Sequence, residues 1–264
     1  MSELEAFLLG ILQGITEFLP VSSSGHLMLV EKIFGLQEVP MFFNIMLHIG
    51  TLFAVCTVLH HELFEMLKHP FSKLPWMIVL ATVPTIIIAL LFKFLIGDIF
   101  EGAFLGVGFI STAILLYSME LFPKGKRSLQ EINYKDALLM GSFQGLGTLP
   151  GISRSGSTIA GGSFGSLNRE ALAKFSFLMS IPAILGALVL DIKDIDFSAL
   201  SSGIEGISVL SIIIGTISAA VSGYFAVKFM MKLISQKSMK PFAYYVLIIG
   251  IFVVLDQYIF HIIF

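Results

Sequence analysis

Six long apolar stretches limit what this chain can fold into. They lie at about 41–60, 76–96, 103–122, 171–190, 207–227 and 242–262. A transmembrane helix needs roughly 20 mainly apolar residues to cross about 30 Å of hydrocarbon. Of the 264 residues, 56% are hydrophobic and only 13% are charged, whereas soluble domains keep about a quarter of their residues charged. We therefore predict an all-α integral membrane protein with six transmembrane helices.

Other features of the composition exclude some classes of protein. The net charge of −2 argues against a nucleic-acid partner, because proteins that bind nucleic acids are usually basic. The single cysteine, Cys56, excludes an intramolecular disulfide. The N-terminus, "MSELEAF", has no Lys or Arg before the first apolar run, so we expect it to be retained in the mature protein rather than removed as a signal peptide.

Two further apolar regions are interrupted by polar loops. Residues 5–36 are broken at Pro20, within "EFLPVSSSGH", and residues 136–167 are broken at Pro150, just before "GISRSGST". Each apolar piece is too short to cross the membrane comfortably. We predict two re-entrant hairpins, each a helix–loop–helix that enters the membrane and returns to the same side.

The two interrupted regions are similar to each other. "QGITEFLPVSSSG" at 13–25 resembles "QGLGTLPGISRSG" at 144–156, an offset of 131 residues. Each half of the chain then holds one hairpin and three spans, and because three is odd the second half must be inverted. We predict a single membrane domain, 1–264, built from inverted repeats 1–132 and 133–264, with hairpins that meet near the midplane, as in many transporters.

The distribution of charge predicts the orientation. Twelve of the sixteen basic residues fall in four connections, and such residues collect in cytoplasmic loops. These are Lys68, Lys73, Lys124, Lys126, Arg127, Lys135, Arg169, Lys174, Lys228, Lys232, Lys237 and Lys240. The remaining connections are acidic, with Asp98, Glu101, Asp191, Asp194, Asp196 and Glu205. Both termini and residues 1–40 are therefore predicted to be extracytoplasmic.

The second polar loop has the composition of a phosphate site. A charged residue at the bilayer centre costs about 3 kcal/mol, so Arg154 indicates a function, and its guanidinium matches phosphate oxygens. The hydroxyls around it, and two glycines that allow backbone amides to approach an anion, are candidates to bind substrate: Ser153, Ser155, Ser157, Thr158, Gly151 and Gly156. A purely structural ion pair between Arg154 and Glu17 remains an alternative.

The first polar loop has the residues of a reactive site. Ser22, Ser23 and Ser24 offer hydroxyls, and Glu17 and His26 are candidate proton carriers. Gln13 precedes Glu17 by four residues, so the two share a helical face. His48 and Asn44 form a similar polar pair on the first span; we interpret them as helix-contact residues or as supports for the site, without a direct chemical role.

These two loops carry a resemblance to a known family. "QGITEFLPVSSSGH" at 13–26 and "PGISRSGST" at 150–158 resemble the undecaprenyl-diphosphatases of bacterial inner membranes, also called bacitracin-resistance proteins. The resemblance extends along the whole chain and includes "FSFLMSIP" at 175–182. It implies hydrolysis of undecaprenyl diphosphate to undecaprenyl phosphate and phosphate outside the cytoplasmic membrane. That reaction recycles the carrier lipid for peptidoglycan synthesis and confers bacitracin resistance.

By this resemblance Glu17, Ser23, His26 and Arg154 occupy functional positions. Many family members have Glu where this chain has Gln13, which puts in doubt any mechanism with two carboxylates on one metal. The family's activity is associated with a divalent cation, Mg²⁺ or Ca²⁺. The residues show no closed set of oxygen ligands, so the cation could instead arrive with the diphosphate.

Several alternatives remain open at this point. Ser23 could attack the terminal phosphorus while Glu17 or His26 takes its proton, or one of these two residues could activate water directly. From another class, the same inverted-repeat fold would suit a transporter or flippase for lipid phosphate or a small anion, because fold does not fix function. A homodimer is also compatible with the sequence, since small residues allow helices to approach closely within or between subunits. The glycines concerned are Gly106, Gly108, Gly215 and Gly223.

Overall fold

The computed structural model of the chain describes residues 1–36, 39–96, 102, 104–192 and 207–264. The described part is helical and contains no named strand, so the prediction of an all-α protein is confirmed. The α-helices are α1 Glu3–Phe18, α2 Ser23–Ile33, α3 Met41–Val58, α4 His60–Lys68, α5 Lys73–Ile96, α6 Leu105–Ser118, α7 Tyr134–Leu146, α8 Arg154–Ser163, α9 Arg169–Ile192, α10 Val209–Gln236 and α11 Lys240–Leu255. A 3₁₀ turn, Leu129–Glu131, precedes α7, and a π-helical turn, Asp256–Phe260, follows α11.

Five helices of the described part are long and apolar enough to cross a membrane: α3, α5, α9, α10, and α11 with its π-helical extension. The chain is therefore a multi-pass membrane protein. The sixth predicted span, 103–122, corresponds to α6, an apolar helix of 14 residues. At 1.5 Å per residue it is about 21 Å long, less than the hydrocarbon thickness of about 30 Å. Residue 103 and the predicted acidic positions Asp98, Glu101, Asp194, Asp196 and Glu205 lie outside the described residues.

Each interrupted region forms two helices joined by a short turn. α1 ends at Phe18, directly before the Leu-Pro step, because proline disfavours a helical residue before it and cannot donate to the helix. α2 then begins at Ser23. In the second region α7 ends at Leu146, Pro150 follows in the connection, and α8 begins at Arg154. The sequence therefore places both serine runs at helix starts.

Small residues bring the helices together within the chain. A Cβ atom at Gly14 of α1 would collide with Ser222 of α10, and one at Gly141 of α7 would collide with the backbone of α5. The glycines that suggested a possible homodimer are also used inside the chain: Gly106 faces Val254, Gly108 faces Pro150, Gly215 faces Phe43 and Gly223 faces Ala54. These contacts explain the glycines as helix-packing positions of one subunit.

The largest apolar core lies directly behind the two polar turns. Phe18, at the end of α1, is 1% exposed and meets Phe177 of α9 edge to face, with ring centroids 5.8 Å apart. Phe109 of α6 is fully buried, and a Cβ atom at Gly25 of α2 would lie 2.7 Å from its ring. Because close-packed interiors hold side chains in defined rotamers, this core fixes the positions of both turns.

One helix lies where the sequence suggested only a loop. Residues 61–75 lie between the predicted spans 41–60 and 76–96 and were expected to form a loop. Residues 61–68 instead belong to α4, which begins at His60. None of its residues is buried. Its Glu62 pairs with Lys174 of α9 at 3.4 Å, and its Leu63 and Met66 pack against the main apolar core. Both polar and apolar contacts therefore hold α4 against the rest of the molecule.

Candidate active site

The two polar turns contact each other. Arg154, the first residue of α8, donates a hydrogen bond to Glu17 Oε1 near the end of α1. The Ser155 hydroxyl donates to the Leu19 carbonyl at 3.1 Å. A Cβ atom on Gly156 would lie 3.3 Å from the Pro20 ring, so glycine lets the two turns approach. Residues from both halves of the chain therefore form one site.

Glu17 is the centre of this site. It is 7% exposed, and both of its oxygens accept hydrogen bonds. Oε1 accepts from Arg154, while Oε2 accepts from the Ser23 hydroxyl and from Gln13 Nε2, the latter at 3.1 Å. The guanidinium compensates the buried carboxylate, which would otherwise be costly inside a membrane protein. A carboxylate that accepts a hydrogen bond from a serine hydroxyl is placed to remove that hydroxyl's proton.

Two helix N-termini are directed toward the same place. Ser22 caps α2 by accepting from Gly25 N at 3.3 Å, and Ser153 caps α8 by accepting from Gly156 N at 3.1 Å. The first amides of each helix have no intrahelical acceptor, and the helix dipole is positive there. Ser22 also has φ 70°, an unfavourable conformation for serine of the kind that persists at functional sites. Together the two ends form an environment that favours an anion.

A cavity of about 590 Å³ opens from these turns. Polar side chains line the end of the cavity at the turns: Thr16, Glu17, Ser22, Ser23, Ser24, His48, Ser153 and Arg154. The apolar lining comes mainly from two helices, with Ile86, Ala89 and Leu90 of α5 and Ala183, Ile184, Ala187 and Leu190 of α9. Along α5 the lining extends from Thr82 to Lys93, about 16 Å of helix. Such a cavity suits an amphiphile, with a charged group at the turns and an apolar chain between α5 and α9.

Some predicted substrate-binding residues lie beside the cavity but do not line it. Gly151 has φ +81°, and its carbonyl accepts from Thr112 of α6 at 2.9 Å. Thr158 donates to the Ser155 carbonyl at 3.0 Å and contacts Ser176 of α9. Ser157 is buried, and its hydroxyl has no hydrogen-bond partner among the described residues. Together with Gln13, Ser155 and Gly156, these residues hold the turns in place around the lining residues.

The structure does not bring His26 into the cavity with Glu17. Its Nδ1 lies 2.7 Å from the Ser22 carbonyl, and its Nε2 lies 2.9 Å from the Tyr245 hydroxyl of α11. The ring stacks on Tyr245 and meets Phe109 edge to face. His26 lines a separate groove between α1 and α11. Both ring nitrogens therefore have partners outside the cavity that holds Glu17.

Several further polar residues line the cavity and were not predicted as site residues, among them His48, Gln144 and Thr85. His48 of α3 was interpreted as a helix-contact or supporting residue, yet it shares the cavity with Glu17. Gln144 donates to Thr85 Oγ1 and to the Met179 carbonyl, both at 3.3 Å, and Thr85 lines the cavity with it. In the internal repeat Gln144 corresponds to Gln13. This correspondence is the sequence signal that could have identified Gln144 as a site residue.

Two carboxylates line the cavity, Glu17 at the polar turns and Asp191 of α9, which limits how the site could hold a metal ion. Within the described residues no group of three or more His, Cys, Asp or Glu side chains is arranged to hold a metal ion. Both oxygens of Glu17 already accept hydrogen bonds from Gln13, Ser23 and Arg154. Divalent cations of this type require several oxygen ligands, so these side chains do not fit a resident cation.

Comparison with known proteins agrees with this geometry. The family described as bacitracin resistance protein BacA matches residues 6–252. An undecaprenyl-diphosphatase from Carboxydothermus hydrogenoformans is 45% identical over 258 residues, which cover 97% of this chain and 98% of the relative. Undecaprenyl-diphosphatase 4 from Bacillus thuringiensis is 45% identical over 98% of both chains. An undecaprenyl-diphosphatase from Methanosphaera stadtmanae is 39% identical over 96% of this chain and 97% of its own.

The resemblance stated from the two loop motifs is therefore confirmed over nearly the whole chain, and the protein belongs to the bacitracin resistance protein BacA family.

Proposed function

We propose that this chain is a membrane hydrolase that converts undecaprenyl diphosphate to undecaprenyl phosphate and inorganic phosphate. Its curated relatives bear the name of this activity over nearly their full length. The cavity supports the proposal, because its polar end suits a diphosphate and its apolar walls suit a prenyl chain. In the cell the reaction would recycle the carrier lipid for peptidoglycan synthesis and confer bacitracin resistance.

The observation that carries this proposal is the hydrogen bond from Ser23 to Glu17 beside Arg154. In the mechanism we favour, Ser23 Oγ attacks the terminal phosphorus and its proton passes to Glu17. Arg154 and the first amides of α2 and α8 stabilise the charge that develops on the phosphoryl oxygens. Water then hydrolyses the phosphoserine. We assign the proton-acceptor role to Glu17 rather than His26, because both His26 nitrogens have other partners.

The placement in the membrane is part of the proposal. We infer two inverted repeats, 1–132 and 133–264, whose re-entrant hairpins meet near the midplane of the bacterial cytoplasmic membrane. The contact between Glu17 and Arg154 supports this arrangement, since it joins the turns of the two hairpins. The distribution of Lys and Arg favours extracytoplasmic termini and an outward-opening cavity. Reaction of cysteines at either terminus with an impermeant reagent in intact cells tests the orientation.

A divalent cation, Mg²⁺ or Ca²⁺, is proposed to reach the site with the substrate's diphosphate. The reason is that both oxygens of the Glu17 carboxylate already accept hydrogen bonds. This predicts that the cation dependence of the rate follows the concentration of the cation–substrate complex. A homodimer stays a prediction from the sequence, which the mass of the protein–detergent complex would test.

A transporter of lipid phosphate or of an anion is the alternative function, and it is not favoured. Transport needs no nucleophile paired with a base, whereas Ser23 and Glu17 form such a pair. The test is phosphate release from undecaprenyl diphosphate by purified protein with Mg²⁺ or Ca²⁺ supplied. Ser23→Ala should abolish release, and the matched control Ser142→Ala, an exposed serine of α7 outside the cavity, should release phosphate like the wild type. Folded wild type that releases none would overturn the proposal.

A further inference from the structure

In a phosphoserine mechanism protons are exchanged on two opposite sides of the phosphorus. In each in-line displacement the attacking and leaving oxygens lie on opposite sides. Glu17 is hydrogen-bonded to Ser23 and therefore serves the serine side in both steps. The lipid phosphate leaves from the other side in the first step, and water enters there in the second. Glu17 cannot serve that side without releasing Ser23.

His48 has the chemistry and the position for this second role. It is partly exposed on α3 and lines the same cavity as Glu17, Ser23 and Arg154. Its Nδ1 lies 2.8 Å from the Asn44 carbonyl. A carbonyl only accepts, so Nδ1 carries a hydrogen in both protonation states. Among the described residues Nε2 has no hydrogen-bond partner, so Nε2 is the atom that gains and loses a proton.

We propose that His48 is the proton carrier on the leaving-group side, an inference that rests on the proposed function. In the first step the Ser23 Oγ–P bond forms, and Glu17 takes the serine's proton. The bond from phosphorus to the bridging oxygen breaks, and that oxygen receives a proton from Nε2 of the His48 imidazolium. In the second step water attacks the phosphoserine and gives a proton back to Nε2. The Oγ–P bond breaks, and Ser23 recovers its proton from Glu17. Both carriers end as they began.

The other charged groups of the cavity are compatible with this cycle. Glu17 of α1 and Arg154 of α8 line the cavity with His48, and their opposite charges are paired with each other. Lys93 of α5 and Asp191 of α9 also line the cavity, and each has interactions of its own. His26 cannot take this role, since its Nε2 is bonded to Tyr245 in a different groove.

The test compares His48→Gln and His48→Ala with the wild type in phosphate release from undecaprenyl diphosphate. We expect kcat to fall by about 100-fold or more in both variants, the scale of a lost acid–base group, with little change in KM. The pH profile of kcat should change in both variants, because each lacks the acid–base group that serves the leaving oxygen. Added imidazole should restore activity to His48→Ala, where a space exists, but not to His48→Gln. His60→Gln, on exposed α4 outside the cavity, is the matched control.

Several outcomes would overturn the inference while leaving the phosphatase assignment intact. One is wild-type activity with an unchanged pH profile in His48→Gln. Another is a loss of activity in which the wild-type pH profile is kept and added imidazole restores nothing, as expected for a structural residue. Thermal unfolding in detergent identifies a variant that fails to fold, in which case the more conservative His48→Gln decides. If folded wild type releases no phosphate, the proposed function fails first and this inference fails with it.

Discussion

Arg154 donates a hydrogen bond to Glu17 across 137 residues of sequence and joins the two polar turns of the molecule. Both side chains are mostly buried, with 17% of Arg154 and 5% of Glu17 exposed. Each turn alone would place an uncompensated charge in a membrane domain, which is costly. In the mechanism that we propose, this pair holds the base for Ser23 next to the phosphate-binding group. We therefore expect stability and activity to be coupled at this contact.

Removal of Arg154 should destabilise the protein as well as inactivate it. Arg154→Met leaves Glu17 buried without its partner, and we expect the free energy of unfolding to fall by about 3–5 kcal/mol. The double variant Glu17→Gln/Arg154→Met should recover much of that loss but none of the phosphate release. Unfolding in detergent, measured for both single variants and the double variant, gives the coupling. Strictly additive losses would contradict the paired role.

Gly151 should matter for packing rather than for substrate binding. Its φ of +81° disfavours any side chain, and a Cβ atom would lie 2.5 Å from the Leu105 carbonyl and 2.9 Å from Gly108 Cα. Gly151→Ala should therefore lower the free energy of unfolding by about 1–3 kcal/mol. Gly186→Ala is the control, since nothing lies within 4 Å of that position in α9. A variant that keeps full stability but loses affinity for substrate would contradict this account.

The hydrogen bond from Tyr245 to His26 should support the fold and not the chemistry. Tyr245→Phe removes the hydroxyl that lies 2.9 Å from His26 Nε2, and we expect a loss of about 1 kcal/mol in stability. The kcat for phosphate release should change little, whereas Glu17→Gln should abolish it. A loss of kcat in Tyr245→Phe as severe as that in Glu17→Gln would return His26 to the catalytic machinery.

The apolar wall between α5 and α9 should select for a long lipid chain. Ala187→Phe adds bulk to this wall, so KM for undecaprenyl diphosphate should rise while KM for a short-chain prenyl diphosphate changes less. Val189→Phe is the matched control, because Val189 lies on the same helix, is exposed and does not line the cavity. Equal effects of Ala187→Phe on long and short substrates would show that the chain binds elsewhere.

The features that could be predicted from the sequence are those with a local signal. Proline and serine runs mark where α1 and α7 end and where α2 and α8 begin, and the internal repeat relates the two turns. A charged side chain inside an apolar chain also needs a partner of opposite charge. Glu17 and Arg154 could therefore be identified from the sequence as a possible ion pair. Length was less predictable: the apolar run 103–122 contains only the 14-residue α6.

The directions of the histidine side chains could not be predicted. His26 follows the serine run in sequence, yet its orientation depends on Tyr245, 219 residues away. His48 lies in the cavity because of how α3 packs against the other helices, and neither spacing nor composition encodes that packing. Proximity in sequence therefore did not indicate which histidine lines the cavity with Glu17.

The stereochemistry of phosphoryl transfer tests most directly whether Ser23 is the nucleophile. A substrate whose terminal phosphoryl group is chiral, through sulfur and oxygen isotopes, is hydrolysed in isotope-labelled water, and the released thiophosphate is analysed. We expect retention of configuration, because attack by Ser23 and then by water inverts the phosphorus twice. Inversion would mean that water attacks directly, and would contradict the assignment of Ser23 as nucleophile and Glu17 as its base.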